Sequence, residues 1–285
     1  MRNHEYLISA ETLHENLGRR ELCVIDCRFE LKQPAAGWRK YLRAHVPGAV
    51  YADLDKDLAA PVRDDSGRHP LPDPLQLART FGSFGIAPVT QVVVYDDANG
   101  AIAARAWWLL RWLGHSQVAV LDGGMARWQA LGMPLQAGAV SNQRQQFTAS
   151  PQPGMIIETA ELVTACREGT AALLVDAREE VRFRGEQEPI DALAGHVPGA
   201  RNLPYTHNLA VNGTWKSGAE LRRLWSAVLA ERIDEPFSVM CGSGVTACQL
   251  VLSSLLAGLD EPRVYIGSWS EWIRDPLRPV AIGPG

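Results

Sequence analysis

Short apolar runs alternate with helical patterns along the whole chain. Residues 92–95 and 118–121 read as strands, and the stretch 103–113 between them spaces its apolar side chains as one face of a helix, with Trp107, Trp108 and Trp112 among them. Later in the chain, 237–240 and 264–266 are strand-like and flank a second helical stretch over 247–257. Strands separated by about 10–15 residues of helix predict βαβ units. The expected fold class is therefore α/β, with mostly parallel sheets carrying helices on both faces. Thr12, Asp73 and Ser217 stand where helix N-caps are expected. The helical tryptophans are expected in the core.

The two halves repeat each other. LCVIDCRFE (22–30), AHVPGAVY (44–51) and LDGGMARW (121–128) in the first half return as LLVDAREEV (173–181), GHVPGARN (195–202) and YIGSWSEW (265–272) in the second. Asp26 thus pairs with Asp176, His45 with His196 and Trp128 with Trp272. The offset is 150 or 151 early and 144 late, because the first copy carries a longer loop around 52–72. Matched blocks in the same order mean a tandem duplication. The expected domains are 1–137 and 155–285, joined by a polar linker over 138–154 that is rich in Gly, Pro, Ser and Gln.

Composition narrows the function classes. The 285 residues are 46% hydrophobic and 21% charged, an ordinary globular balance, which excludes a disordered or collagen-like chain. A net charge of −4 argues against non-specific nucleic-acid binding. No apolar run has the length of a membrane span, and the N-terminus has no signal-peptide pattern. A cytoplasmic protein with neither nucleic-acid nor membrane partners is expected. The five cysteines (Cys23, Cys27, Cys166, Cys241, Cys248) are odd in number and scattered, which suits free thiols rather than a disulfide framework or a zinc site.

One of those thiols stands apart. In SVMCGSGVTACQLVL, Cys241 ends a strand, Gly242, Ser243, Gly244, Val245 and Thr246 form a loop of small residues, and a helix follows. Glycines let successive backbone N–H groups turn inward as an anion-binding nest, and the helix N-terminus adds its positive end. Such surroundings favour the thiolate form of a cysteine and make Cys241 the expected nucleophile. Ser243 lies where a hydroxyl can donate to the thiolate or to a departing group. Cys23, Cys27, Cys166 and Cys248 are expected in the core. The first copy has Asp96 or Asp97 at the corresponding position, in place of the thiol.

CGSGVT at 241–246, the paired HVPGA motifs, GSWSEW at 267–272 and the duplication resemble the tandem-domain rhodanese-fold sulfurtransferases over nearly the whole chain. The neutral loop resembles that of the 3-mercaptopyruvate sulfurtransferases rather than the cationic loop of the thiosulfate enzymes. The resemblance implies that Cys241 becomes a persulfide and passes its sulfur to a thiophilic acceptor such as a thiol, thioredoxin or cyanide, with no metal or organic cofactor. It implies a silent first domain, a donor-carboxylate role for Arg182, and a relay between Ser243 and a first-domain histidine, which maps to His45. One departure favours thiosulfate as donor: Ile190 in EPID stands where the mercaptopyruvate enzymes carry a second arginine. Protein phosphatases of the same fold need an arginine where this chain has Ala247. A non-catalytic sulfur carrier or partner-binding module is the reading from another class. A monomer is expected, since tandem domains already supply the interface that a dimer would.

Overall fold

The computed structural model describes residues 4–168 and 173–284. The chain forms two units, each discontinuous in sequence. Unit 1 gathers the chain up to Ala60, Leu71–Gln152 and Leu209–Trp215, and unit 2 gathers Pro61–Pro70, Pro153–Asn208 and the chain from Lys216 onward. The expected boundaries thus miss two exchanged segments. They also treat as a linker a stretch that is tied to unit 1: the Val140 amide donates to Tyr41 Oη, Gln145 N to the Gly82 carbonyl and Ser150 N to the Leu113 carbonyl.

Unit 1 runs β1 (Leu7–Ile8), α1 (Ala10–Asn16), β2 (Leu22–Asp26), α2 (Ala35–Arg43), β3 (Val50–Tyr51), α3 (Pro74–Ser83), β4 (Gln91–Tyr95), α4 (Ala101–Trp112), β5 (Val118–Leu121) and α5 (Gly124–Ala130). Its sheet has the order β1-β5-β4-β2-β3, with every pair parallel. All five residues of β4 are buried, as befits a strand covered on both faces. Val93 and Tyr95 point into a core shared with Leu13 of α1 and with Met125 and Trp128 of α5. Their neighbours Val92 and Val94 point the opposite way and are equally buried. The hydrophobic residues of α4, Trp107, Trp108 and Trp112 included, are all buried.

Unit 2 repeats the plan with α6 (Thr159–Glu168), β6 (Leu174–Asp176), α7 (Glu180–Phe183), β7 (Arg201–Asn202), α8 (Gly218–Leu229), β8 (Ser238–Met240), α9 (Ala247–Leu256), β9 (Arg263–Val264) and α10 (Ser268–Trp272). Its all-parallel sheet, β7-β6-β8-β9, is the order β3-β2-β4-β5 again. Ile156 makes a parallel bridge to Val264, the place that β1 takes beside β5. Trp269 and Trp272 of α10 fill the core with Phe183, Val197 and Met240.

Local signals account for the starts of α1, α3 and α8. Asp73 caps α3 through Oδ1, and Ser217 with Glu220 forms a capping box on α8. Thr12 is not a cap. Ser9 caps α1 by accepting the Thr12 amide, so the helix starts a turn earlier than its apolar pattern suggests.

The duplication also repeats a buried ion pair. Arg28 grips Asp26 and donates to the Ala44 carbonyl; Arg178 grips Asp176 and donates to the Gly195 carbonyl. Each arginine thereby ties the end of a central strand to the turn that carries HVPGA. The guanidinium of Arg178 also lies 4.5 Å from the Trp269 ring centroid.

Candidate active site

Strand β8 delivers Cys241 at its carboxyl end. Cys241 is 1% exposed. Its backbone is held on both sides, the amide donating to Ser268 Oγ at 3.1 Å and the carbonyl accepting from Trp269 N at 3.0 Å. Gly242 follows, its carbonyl accepting from Ser270 N. Gly244 has φ of +73°, and a Cβ there would meet the Ile266 carbonyl oxygen at 2.4 Å, so glycine is required twice over. Thr246 is the N-cap of α9 but makes no side-chain capping bond. Among the described residues, the amides of Gly242, Ser243, Val245 and Thr246 donate to no protein group.

Unit 1 shows what such a loop binds. Tyr95 pairs with Asp26 in register as Met240 does with Asp176, so Asp96 is the counterpart of Cys241. The shared backbone bond confirms the match: Met125 N donates to the Asp96 carbonyl as Trp269 N does to that of Cys241. The Asp96 carboxylate accepts four amides, those of Ala98, Gly100, Ile102 and Ala103, each at 2.8 Å. Burial pushes its carboxyl above the ordinary aspartate range, while these amide bonds pull it down. Asp97 instead reaches Lys40 at 2.7 Å. In unit 1, then, the nest is filled by the chain's own carboxylate, and Trp215 lines the cavity beside Gly100 and Asp96.

The histidine that meets Ser243 is His69 and not His45. Ser243 Oγ lies 2.7 Å from Nδ1 of His69, a residue of the segment Pro61–Pro70 that belongs to unit 2. His45 has another task. It is fully buried in unit 1, with Nδ1 on the Tyr41 carbonyl at 2.8 Å, its ring stacked on Tyr41 and its backbone bridged to Gln136. His196 repeats every part of this in unit 2, using Phe183 and Ala281. Burial lowers the His196 pKa, which keeps its ring neutral in that place. The two HVPGA histidines therefore share one architectural task.

His69 lies in SGRHPLP, inside the loop between β3 and α3, which is longer than its counterpart between β7 and α8. The extra length was the available signal, because the repeat alone does not account for it.

Arg182 is engaged more heavily than its sequence context suggests. Its Nε contacts both Glu188 oxygens at 2.9 Å, and Nη2 reaches Asp191 Oδ2 at 3.0 Å. The Glu188 carboxyl is drawn below its ordinary value by Arg182, against the opposing effect of burial. Arg68 joins from the same segment as His69, its Nη1 lying 2.5 Å from Asp191 Oδ1. A Cβ built on Gly242 would lie 3.2 Å from Arg68 Nη2 and 3.6 Å from Arg182 Nη2, so both guanidiniums stand over the residue after Cys241. Ile190 is 41% exposed and brings no charge. All five cysteines are free thiols. Among the described residues no His, Cys, Asp and Glu side chains are grouped as a metal ion would need, and no helix is long and apolar enough to cross a membrane.

Comparison with known proteins agrees with this architecture. The rhodanese-like domain family matches twice, over residues 9–131 and 158–275. A probable 3-mercaptopyruvate sulfurtransferase of Pseudomonas aeruginosa is 48% identical over 97% of this chain and 98% of its own. The 3-mercaptopyruvate sulfurtransferase of Escherichia coli is 36% identical, with 94% of each chain covered, and a putative thiosulfate sulfurtransferase of Mycobacterium tuberculosis is 40% identical over 91% of this chain and 90% of its own. The crystal structure of the E. coli protein superimposes with a TM-score of 0.82 at 32% identity, covering 94% of this chain and all of that one. The chain belongs to the rhodanese-like family, as a two-domain sulfurtransferase.

Proposed function

We propose that the chain takes sulfur from 3-mercaptopyruvate, carries it as a persulfide on Cys241 and passes it to a thiol acceptor. The observation that carries this reading is the contrast between the two loops. In unit 1 the nest is closed by Asp96, whereas in unit 2 the equivalent residue is a thiol and, among the described residues, the amides of Gly242, Ser243, Val245 and Thr246 donate to no protein group. An anion held by the strand-end residue is what this loop geometry accepts, and a thiolate or persulfide on Cys241 is such an anion.

The chemistry follows from the parts. The Cys241 thiolate attacks the donor's sulfur, and the carbon–sulfur bond breaks with its electron pair leaving on carbon as the enolate of pyruvate. The donor's thiol proton ends on that carbon, giving pyruvate, and the persulfide remains as an anion in the nest. An acceptor thiolate then attacks the outer sulfur and restores the Cys241 thiolate. Ser243 and His69 form the pair that moves a proton beside this centre, and Arg182 holds the donor's carboxylate. The acceptor is a small thiol or a thioredoxin-like protein, and the enzyme works as a cytoplasmic monomer.

Specificity constants for 3-mercaptopyruvate and for thiosulfate, measured with one acceptor, test the donor. The wild type prefers mercaptopyruvate. Arg182→Ala lowers that constant about 30- to 100-fold, chiefly through KM, as expected for one charge-assisted contact of roughly 2–3 kcal/mol. Ile190 and the mycobacterial relative's name favour thiosulfate instead, and a thiosulfate preference in the wild type would overturn the proposal. Ser243→Ala should reduce kcat by about 10²-fold with KM nearly kept, since a proton relay acts on the chemical step and not on donor binding. A KM effect without a kcat effect would remove Ser243 and His69 from that role.

A further inference from the structure

Asp191 accounts for how two guanidiniums can stand side by side over Gly242. Its side chain is only 4% exposed and uses one oxygen for each partner, Oδ1 for Arg68 and Oδ2 for Arg182. Its own amide donates to Glu188 Oε1, which in turn is bonded to Arg182, so the carboxylate, the turn 188–191 and the guanidinium form one connected unit. Arg68 is fixed from its backbone as well. Its amide donates to Ser270 Oγ at 3.0 Å, and Gly67 before it leaves no room for a Cβ, which would meet the Gly267 carbonyl oxygen at 2.4 Å. With the arginine backbones anchored and their guanidiniums tied to a common carboxylate, the N–H groups left over have set directions. Arg68 Nη2 and Arg182 Nη1 bond to no group among the described residues.

The charges in this cluster cancel. Arg68, Arg178 and Arg182 face Asp176, Glu188 and Asp191. A cluster of this kind has directed donors but no net positive field. Directed donors suit a planar monoanionic carboxylate, which two guanidiniums recognise by geometry. A small dianion gains less, because its binding depends more on net charge, and the buried carboxylates repel it.

We propose that Asp191 is a positioning residue that sets donor selectivity: it aims Arg68 and Arg182 at a carboxylate and, by its charge, disfavours a dianion such as thiosulfate. The inference rests on the mercaptopyruvate reading of the same site. It assigns to Asp191 both a positive effect on one donor and a negative effect on the other, which is what separates it from a merely structural part.

The test is Asp191→Asn, with Asp191→Glu beside it, assayed with both donors at two ionic strengths. In Asp191→Asn the KM for mercaptopyruvate should rise about tenfold as the guanidiniums lose their common anchor. The specificity constant for thiosulfate should stay level or rise several-fold, and the rise should shrink at high salt. Asp191→Glu keeps the charge and should keep the discrimination against thiosulfate. Equal losses toward both donors in Asp191→Asn would reduce Asp191 to a structural residue and overturn the inference. Failure of the underlying reading looks different: the wild type itself would then turn over mercaptopyruvate no better than thiosulfate, and the inference would fall with it.

Discussion

Cys241→Ser should abolish sulfur transfer while leaving the fold in place. A serine hydroxyl offers neither the ionisation nor the soft nucleophilicity needed to attack a sulfur atom, and no stable sulfur adduct forms on its oxygen. The loss should reach roughly 10⁴-fold or more, down to what binding and the amide loop provide without a nucleophile. The fold has little reason to respond. Serine matches the cysteine in size, and the interactions that hold residue 241 are made by its backbone, to Ser268 and Trp269. Turnover assays give the first half of this result, and thermal unfolding with an unchanged midpoint gives the second. Mass spectrometry after exposure to donor should find one added sulfur atom on the wild type and none on the variant. Turnover within tenfold of wild type in Cys241→Ser would remove the persulfide mechanism altogether.

Asp96→Ala should strongly destabilise unit 1, costing about 3–5 kcal/mol. Deleting the carboxylate leaves four amides without acceptors, two buried and two part-buried, and each buried one costs on the order of 1–3 kcal/mol, partly recovered by entering water. Asp96→Asn should fall between, because its amide nitrogen would face N–H groups with a donor. Added sulfate or phosphate should raise the melting temperature of Asp96→Ala more than that of the wild type, as a free anion enters the emptied nest. No such anion effect, together with a cost under 1 kcal/mol, would mean that the loop is not an anion nest, and would weaken the case for Cys241 in the same step. Activity at 25 °C should persist in the folded fraction, since the proposed chemistry uses residues of unit 2.

These two experiments address one device used twice: a strand end followed by a turn of small residues and a helix start. In unit 1 the carboxylate of Asp96 takes the loop amides itself. In unit 2 the same place holds the Cys241 thiol, on which the proposed persulfide forms. On that proposal the first domain has a filled site and not an eroded one.

The sequence by itself determined the parts that depend on local chemistry. Apolar spacing located β4, β5, α4 and α9 to within a few residues, and Asp73 and Ser217 declared two helix starts. The duplication predicted two copies of one parallel sheet, and both sheets share a strand order. Cys241 was legible because glycines, a strand end and a helix start are all near neighbours in the chain. Tertiary structure decided whatever depends on residues far apart in sequence. His69 meets Ser243 across 174 positions, from a loop without periodicity, while His45, in a conspicuous motif, is taken up by Tyr41. Arg68 and Arg182 share Asp191 across 123 and 9 positions, a pairing that no spacing rule encodes. Asp96 could be told from Asp97 only through strand register. The exchanged segments 61–70 and 209–215 belong to units that their place in the chain does not suggest. Periodicity and capping report the few residues within reach of a helix turn or a strand pair, whereas an ion pair or a relay between loops forms only once the sheets have brought those loops together.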